Sequence, residues 1–169
     1  IEVIEALFDA SLFGDQKFDV IIFSHVLEHI ISPDELIKDL TKILEPNGLV
    51  YIEVPNMLKP DVPMVWFTFE HLNYFTPTSL TNLMEANSFD LAKMKLFDGS
   101  MDIQPFYPVI SSLFRAKKSK KKHVIVNDFE KSTNAVCEYI TTTNNEGRKI
   151  NEKIESVLKN FSPSRIALW

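Results

Sequence analysis

The amino-acid sequence predicts an α/β fold, and three successive segments carry this prediction. A continuous apolar run from Phe18 to Ser24 is typical of a buried strand in a parallel sheet. Apolar residues at helical spacing follow between Ser32 and Pro46, and a second apolar run, Leu49 to Val54, comes directly after them. Strand, helix and strand over about forty residues is the span of a right-handed crossover between parallel strands.

The signals before and within this crossover define its elements. The apolar run over residues 1–8 predicts one further strand. The crossover helix has three agreeing start signals, since Ser32 can be its N-cap, Pro33 suits the first helical position and Glu35 completes a capping box. Pro46-Asn47-Gly48 then ends the helix.

The elements after the crossover are predicted by the same rules. A second helix is expected over residues 76–87, opened by a threonine and a proline, and a strand over residues 89–97. Residues 101–115 have an extended pattern that Pro105 and Pro108 interrupt. Because proline cannot donate a hydrogen bond to a neighbouring strand, we expect an edge strand or a loop there, not a central strand.

Charge and periodicity divide the chain into four parts. Six of the eighteen basic residues lie in residues 115–122 without aromatic residues between them, which indicates a solvated linker. Apolar residues at helical spacing follow over residues 124–161. We therefore expect the last part of a catalytic domain over residues 1–115, a basic linker over 116–123, a connector helix or helix pair over 124–161, and the first strand of a following domain over 162–169.

Bulk composition excludes several classes of protein. A net charge of −5 argues against general binding to nucleic acid or acidic membranes. No apolar run approaches the ~18 residues of a membrane span. The single cysteine, Cys137, excludes an internal disulfide framework and fits a reducing compartment, so we expect a cytoplasmic protein. The four glycines are far apart, so neither a G-x-G-x-x-G motif nor a P-loop is present.

Three of the four histidines lie in two short clusters, residues 25–29 and 70–75. The first cluster matches the H-x-x-E-H signature of zinc peptidases. That signature needs a long helix on both sides, whereas His25 follows a strand directly and Ser32 starts a new helix. A third ligand at helical spacing is also missing. We therefore expect no metal site.

Polar or aromatic residues follow three of the predicted strands: Phe8-Asp9, Ser24-His25 and residues 54–56. In an open parallel sheet, ligands bind beyond the carboxyl ends of the strands. These segments should therefore line one rim, with residues 25–29 filling the loop at its centre.

Two groups of motifs resemble class I S-adenosylmethionine-dependent methyltransferases. The first group runs from the first crossover strand to the end of the second, and the other is similar to the E-H-x-x-x-F-[ST]-x-x-S-L stretch of methyltransferases acting on sugars and surface glycans. The residues that carry the resemblance are Phe18–Ile21, His25–His29, Leu44–Val50, Glu53–Asn56 and Phe69–Leu80. The resemblance implies the C-terminal half of a Rossmann-like methyltransferase sheet, a long connector helix, and a second nucleotide-binding-like domain after it.

The resemblance also implies S-adenosylmethionine as the cofactor. Phe8 and Asp9, after the third strand of the family's sheet, would approach its adenine. Ser24 and His25, after the fourth strand, would lie along its methionine part. The family's glycine turns would fall just before residue 1 and just after residue 169, so residues 1–169 alone are expected to be inactive and to bind the cofactor weakly or not at all.

The implied reaction is methyl transfer to a small molecule, with a sugar or a nucleotide-sugar as the expected acceptor. His71, with Glu70 beside it, is the first candidate for general base or substrate orienter, and Tyr74 is the second. A base matters where the acceptor is a hydroxyl or a carbon acid, and histidine suits this task at neutral pH. Two alternatives remain open: Tyr74 is also a typical core residue, and the chain could be a non-catalytic binding or scaffolding module that keeps the fold.

Overall fold

A computed structural model describes residues 3–60, 67–100, 103–117 and 124–161 of the chain. Its centre is a four-stranded sheet in the order β1-β2-β4-β3. The strands are β1 (Phe18–Ser24), β2 (Leu44–Pro55), β3 (Phe89–Ser100) and β4 (Ile103–Ala116). The helices are α1 (Pro33–Ile43), α2 (Pro77–Ala86) and α3 (Phe129–Phe161), and short 3-10 turns cover Ala10–Phe13 and Leu27–His29.

The sheet combines parallel and antiparallel pairs. β1 and β2 are parallel and α1 connects them, which confirms the predicted α/β crossover. β4 pairs antiparallel with both β2 and β3. The buried core joins α1 and α2 to the sheet, and its fully buried side chains include Ile37, Leu40, Val50, Ile52, Leu80, Phe89 and Phe114.

The expectation that residues 101–115 form an edge strand or a loop is wrong, because β4 lies between β2 and β3. Its ladder with β2 ends at the pair Pro55–Val109, so both prolines lie beyond it. The Pro108 carbonyl still accepts a hydrogen bond from the Asn56 amide at 3.0 Å. Pro105 and Pro108, which have no amide hydrogen to donate, therefore lie in the part of β4 that does not pair with β2. The pairing between β2 and β4 is not interrupted.

The strand expected over residues 1–8 is also wrong over its described part, because residues 3–8 are irregular. Leu7 is 93% exposed, and this segment pairs with none of the four described strands. Only the end of the segment is anchored, where the Phe8 ring packs at 6.0 Å from that of Phe23. β1 is likewise buried on one face only, since Ile22 is 66% exposed while Phe23 is buried.

Helix α1 starts after Ser32 as expected, with Pro33 in its first turn, but the Ser32 hydroxyl makes no capping hydrogen bond. The capping box predicted there is therefore wrong. The helix ends at Ile43, and Pro46-Asn47-Gly48 lies inside β2 as an irregularity at which Asn47 has φ of 66°.

Helix α2 has the complete capping box that α1 lacks. The Thr76 hydroxyl accepts from the Ser79 amide at 2.9 Å, and the Ser79 hydroxyl accepts from the Thr76 amide at 2.8 Å. Two amides at the helix start are thereby satisfied by side chains that the helix itself carries.

This difference between the two helices predicts unequal effects of alanine at their N-caps. Thr76→Ala should lower the free energy of unfolding by about 1 kcal/mol, because it removes the acceptor of the Ser79 amide. Ser32→Ala is the matched control, and its effect should stay within about 0.5 kcal/mol because no capping bond is lost. Urea denaturation measures both, and equal losses would refute the assignment of the cap.

The C-terminal part is one continuous helix, α3, of 33 residues. Its approach is fixed by two hydrogen bonds between the Asn82 side chain and the Val126 backbone, and its Tyr139 ring lies 5.2 Å from the Phe67 ring. Among the helices that the structure describes, none has both the length and the apolar character that a membrane crossing requires. Residues 118–123 and 162–169, which hold most of the basic run and the expected final strand, lie outside the described residues.

Candidate active site

The carboxyl end of β1 holds His25 between two carboxylates. The His25 amide donates to the Glu53 carbonyl at 2.9 Å, and the residue has φ of 54°, in the left-handed region. Its Nδ1 is 3.2 Å from Glu28 Oε1, and its Nε2 is 3.5 Å from Glu53 Oε1. The Tyr107 hydroxyl lies 3.1 Å from Nε2. The turn after β1 thus places the His25 imidazole between the carboxylates of Glu28 and Glu53.

This cluster shifts the pKa values of its members. The hydrogen bond to Glu28 raises the pKa of His25, and the charge of Glu53 adds to this effect against the opposing effect of burial. Burial and the same two carboxylates raise the pKa of Tyr107. These shifts favour the cationic form of His25 more than in a free imidazole, and Tyr107 keeps its phenolic proton near neutral pH.

Glu53 on β2 is the carboxylate of the cluster that accepts hydrogen bonds from three hydroxyl groups. Its carboxylate accepts hydrogen bonds from the hydroxyls of Ser111 at 2.7 Å, Tyr51 at 2.8 Å and Ser24 at 3.3 Å. Burial raises the pKa of Glu53, but the bonds from Ser111 and Tyr51 and the charge of His25 outweigh it, so the pKa is lowered overall.

The lowered pKa of Glu53 predicts a pH-dependent contribution to stability. The contribution is present above the ordinary glutamate pKa of about 4.3 and is lost as the pH falls through the lowered value. Glu53→Gln should therefore lower the melting temperature most at neutral pH, with the gap to the wild type closing in acid. Glu45→Gln, at an exposed glutamate, is the control. A gap that is constant with pH would contradict the assignment.

Glu28 connects the two histidine clusters. The residue is 1% exposed, Oε1 faces His25, and Oε2 has no hydrogen-bond partner among the described residues. Its backbone carbonyl accepts from the Leu72 amide at 2.9 Å and from the Asn73 amide at 3.0 Å. The segment around His71 is thereby fixed to the turn after β1.

The second cluster lies against this turn. The His71 ring is half-buried, with its centroid 4.9 Å from that of His29 and 6.0 Å from that of Tyr74. The Glu70 side chain is exposed, and its carbonyl oxygen is 2.9 Å from His29 Nδ1. The Tyr74 hydroxyl donates to the Thr68 carbonyl at 3.1 Å. His71 therefore contacts both His29 and Tyr74, while the Glu70 carboxylate points to solvent.

The residues expected at the cofactor divide between two places. Ser24 and His25 belong to the Glu53 cluster. Phe8 packs on the ring of Phe23, the residue before Ser24, and the carboxylate of Asp9 accepts from the Ser11 amide at 2.8 Å. The Ser11 amide lowers the pKa of Asp9, so this exposed carboxylate is ionised.

Sequence reasoning missed Tyr107 and Ser111 as parts of this site, and it gave Glu53 no role. Tyr107 and Ser111 lie on β4, which the prolines had assigned to an edge or a loop. Glu53 faces the cluster from the inner strand β2. The one sequence signal for a role of Glu53 was that a charged residue stands within an apolar run.

The H-x-x-E-H segment does not form a peptidase helix. It spans the end of β1 and a three-residue 3-10 turn. Among the described residues, the side chains of Glu28, His29 and His71 are grouped closely enough to share an ion, with one potential ligand atom from each within 4.8 Å of the others. His25 is not part of that group.

Comparison with known sequences identifies relatives of this chain. A family model described as a methyltransferase domain matches residues 3–93. A protein of Mycobacterium tuberculosis named "Probable S-adenosylmethionine-dependent methyltransferase Rv3030" is 28% identical over 103 residues, which are 59% of this chain and 37% of that protein. The chain thus spans little more than a third of the length of the curated relative it matches.

Solved structures share the fold at low identity. The 1,6-didemethyltoxoflavin-N1-methyltransferase of Burkholderia thailandensis, with S-adenosylhomocysteine bound, has a TM-score of 0.50 at 18% identity, covering 64% of this chain and 48% of its own. A SAM-dependent methyltransferase of Methanosarcina mazei has a TM-score of 0.50 at 13% identity, covering 66% of each chain. The [4+2]-cyclase SpnF has a TM-score of 0.51 at 11% identity, covering 68% of this chain and 56% of its own.

A likeness of this kind shows the fold and leaves the reaction open, since one of these structures is named a cyclase. The family model, by contrast, covers more than half of the chain and includes β1, α1, β2, α2 and both histidine clusters. The chain belongs to the methyltransferase-domain family.

Proposed function

We propose that the protein carrying this chain transfers a methyl group from S-adenosylmethionine to a small molecule, with a sugar or a nucleotide-sugar as the acceptor. The observation that carries the proposal is the joining of His25, Glu28 and His71 at the carboxyl end of β1, in a chain of the methyltransferase-domain family. In open α/β sheets this edge is where ligands bind.

The described residues fit the cofactor at its adenine end. The half-exposed Phe8 ring offers an apolar surface for a purine, and the ionised Asp9 beside it offers acceptor oxygens for an exocyclic amine. When bound, the cofactor supplies a methyl group that its positive sulfur has already activated. Phe8 and Asp9 would hold the adenine, and Ser24 and His25 would line the path towards the acceptor.

The remaining task of the protein is to position the acceptor and to take its proton. His71 is half-buried and faces His29 and Tyr74, so part of its ring is open to an acceptor molecule. An uncharged imidazole nitrogen can accept the proton that a hydroxyl or a carbon acid loses as the methyl group arrives. Glu70 presents an exposed carboxylate at the rim, where it would orient a polar acceptor.

The motif at residues 69–80, which is similar to that of sugar and glycan methyltransferases, supports a sugar as the acceptor. The family match and the cofactor named for the M. tuberculosis relative support the transfer itself.

The test is incubation of the protein that carries this chain with isotope-labelled S-adenosylmethionine. The acceptors are a panel of nucleotide-sugars, a panel of small nitrogen heterocycles, and ribosomal RNA as a macromolecular control. Label in a nucleotide-sugar is the expected result. Label only in another acceptor would refute the sugar. Cofactor binding without label in any acceptor would favour the non-catalytic module.

A further inference from the structure

We propose that Glu28, His29 and His71 form a binding site for one divalent metal ion of the zinc class. One potential ligand atom from each residue lies within 4.8 Å of the others. Two imidazoles and a carboxylate are a ligand set that zinc takes in catalytic sites, where a fourth position stays open. Two independent features of the site, one at His29 and one at Glu28, point to a cation.

The first feature is the orientation of the His29 ring. Its Nδ1 is 2.9 Å from the Glu70 carbonyl oxygen, which can only accept, so Nδ1 carries the hydrogen. In the uncharged ring, Nε2 then holds a lone pair, and it lies 3.9 Å from Glu28 Oε1. Two acceptors therefore face each other, an arrangement that a cation between them stabilises. A backbone carbonyl on the other ring nitrogen is the usual support of a metal-binding histidine.

The second feature is the buried carboxylate of Glu28. The residue is 1% exposed, and Oε2 makes no hydrogen bond to any described residue. A buried charged oxygen without a partner is unfavourable unless a cation or a donor compensates it. His25 contacts Oε1 alone, at 3.2 Å, so an ion between His29 and Glu28 would supply the compensating charge that Oε2 lacks.

The size of the site requires a modest contraction. Ligand atoms about 2.1 Å from a tetrahedral zinc ion lie about 3.4 Å apart, whereas the separations here reach 4.8 Å. His29 is exposed and His71 is half-buried, so both rings have room to turn inwards. The bonds from Leu72 and Asn73 to the Glu28 carbonyl already hold the two backbones in place.

The ion and the proposed base compete for the same atom. A ring nitrogen of His71 that binds a metal has no lone pair left for the acceptor's proton. The metal site stands on its own observations and does not depend on methyl transfer, and its test uses binding alone.

The test is zinc titration of the protein that carries this chain against a chromophoric chelator. Cys137 is an exposed thiol that could bind zinc by itself, so all variants are made in a Cys137→Ser background. We expect one ion per chain, at least tenfold weaker binding in His29→Gln and in His71→Gln, and unchanged binding in His123→Gln.

Cobalt(II) gives a second readout that does not depend on affinity alone. In the Cys137→Ser protein it should produce the intense visible absorption of a four-coordinate site, and His29→Gln should abolish it. Circular dichroism checks that each variant is folded. Absence of one-to-one binding, or equal affinity in the His29, His71 and His123 variants, would overturn the proposal.

Discussion

Replacing His71 with alanine is expected to lower turnover about 10²- to 10⁴-fold in the protein that carries this chain, the range associated with loss of a general base. Affinity for S-adenosylmethionine should change little, because the cofactor is assigned to Phe8, Asp9, Ser24 and His25. The measurement is the rate of transfer of labelled methyl at saturating cofactor, together with cofactor affinity by calorimetry. The metal ion is kept out with a chelator, so that its effect does not mix with that of the base.

Two comparisons make this result interpretable. His123→Ala is the matched control, since it removes an imidazole to which no role in the reaction is assigned. Tyr74→Phe should cost less, because the Tyr74 hydroxyl already donates to the Thr68 carbonyl. An unchanged rate would remove His71 from the catalytic residues, and an equal loss of cofactor affinity would make it a binding residue.

Phe114→Ala should have the largest effect on stability. Phe114 is fully buried on the central strand β4, where it pairs with Val50 of β2 and Leu91 of β3. Truncation of a buried phenylalanine leaves a cavity and loses apolar burial, which together cost about 3–5 kcal/mol. The free energy of unfolding from urea denaturation measures the loss.

Phe129→Ala is the matched control for this substitution. It deletes the same atoms from a side chain that is 74% exposed at the start of α3, so its effect should stay within about 0.5 kcal/mol. Similar losses in the two variants would show that Phe114 is not in the core that the structure assigns to it.

The crossover was predictable because its signals are local. The apolar run of β1, the proline at the start of α1 and the run of β2 each depend on a few adjacent residues, and the observed β1 has the expected bounds, Phe18–Ser24. The place of β4 was not predictable in this way. A proline weakens a strand only where the neighbouring strand would accept a hydrogen bond from its amide. The β2–β4 ladder ends at Pro55, and this end point depends on tertiary pairing that the local sequence does not encode.

In the candidate site, too, some residues could be predicted from local sequence and others depend on tertiary contacts. Position after a strand was enough to select His25, and the motif around residue 71 was enough to select His71. The burial of Glu28 and the approach of Tyr107 to His25 depend on residues far apart in sequence, since Tyr107 is the 82nd residue after His25. No local pattern distinguishes such a tyrosine from the others in the chain.

The hydrogen bonds from the Leu72 and Asn73 amides to the Glu28 carbonyl affect how the side chains of this site can change in evolution. Both are made by main-chain atoms, so they depend on no particular side chain at these positions, provided that positions 72 and 73 are not proline. The spacing of the two loops can therefore persist while the side chains that they carry are exchanged. Such a frame lets new acceptor chemistry arise by point substitution, without a new backbone.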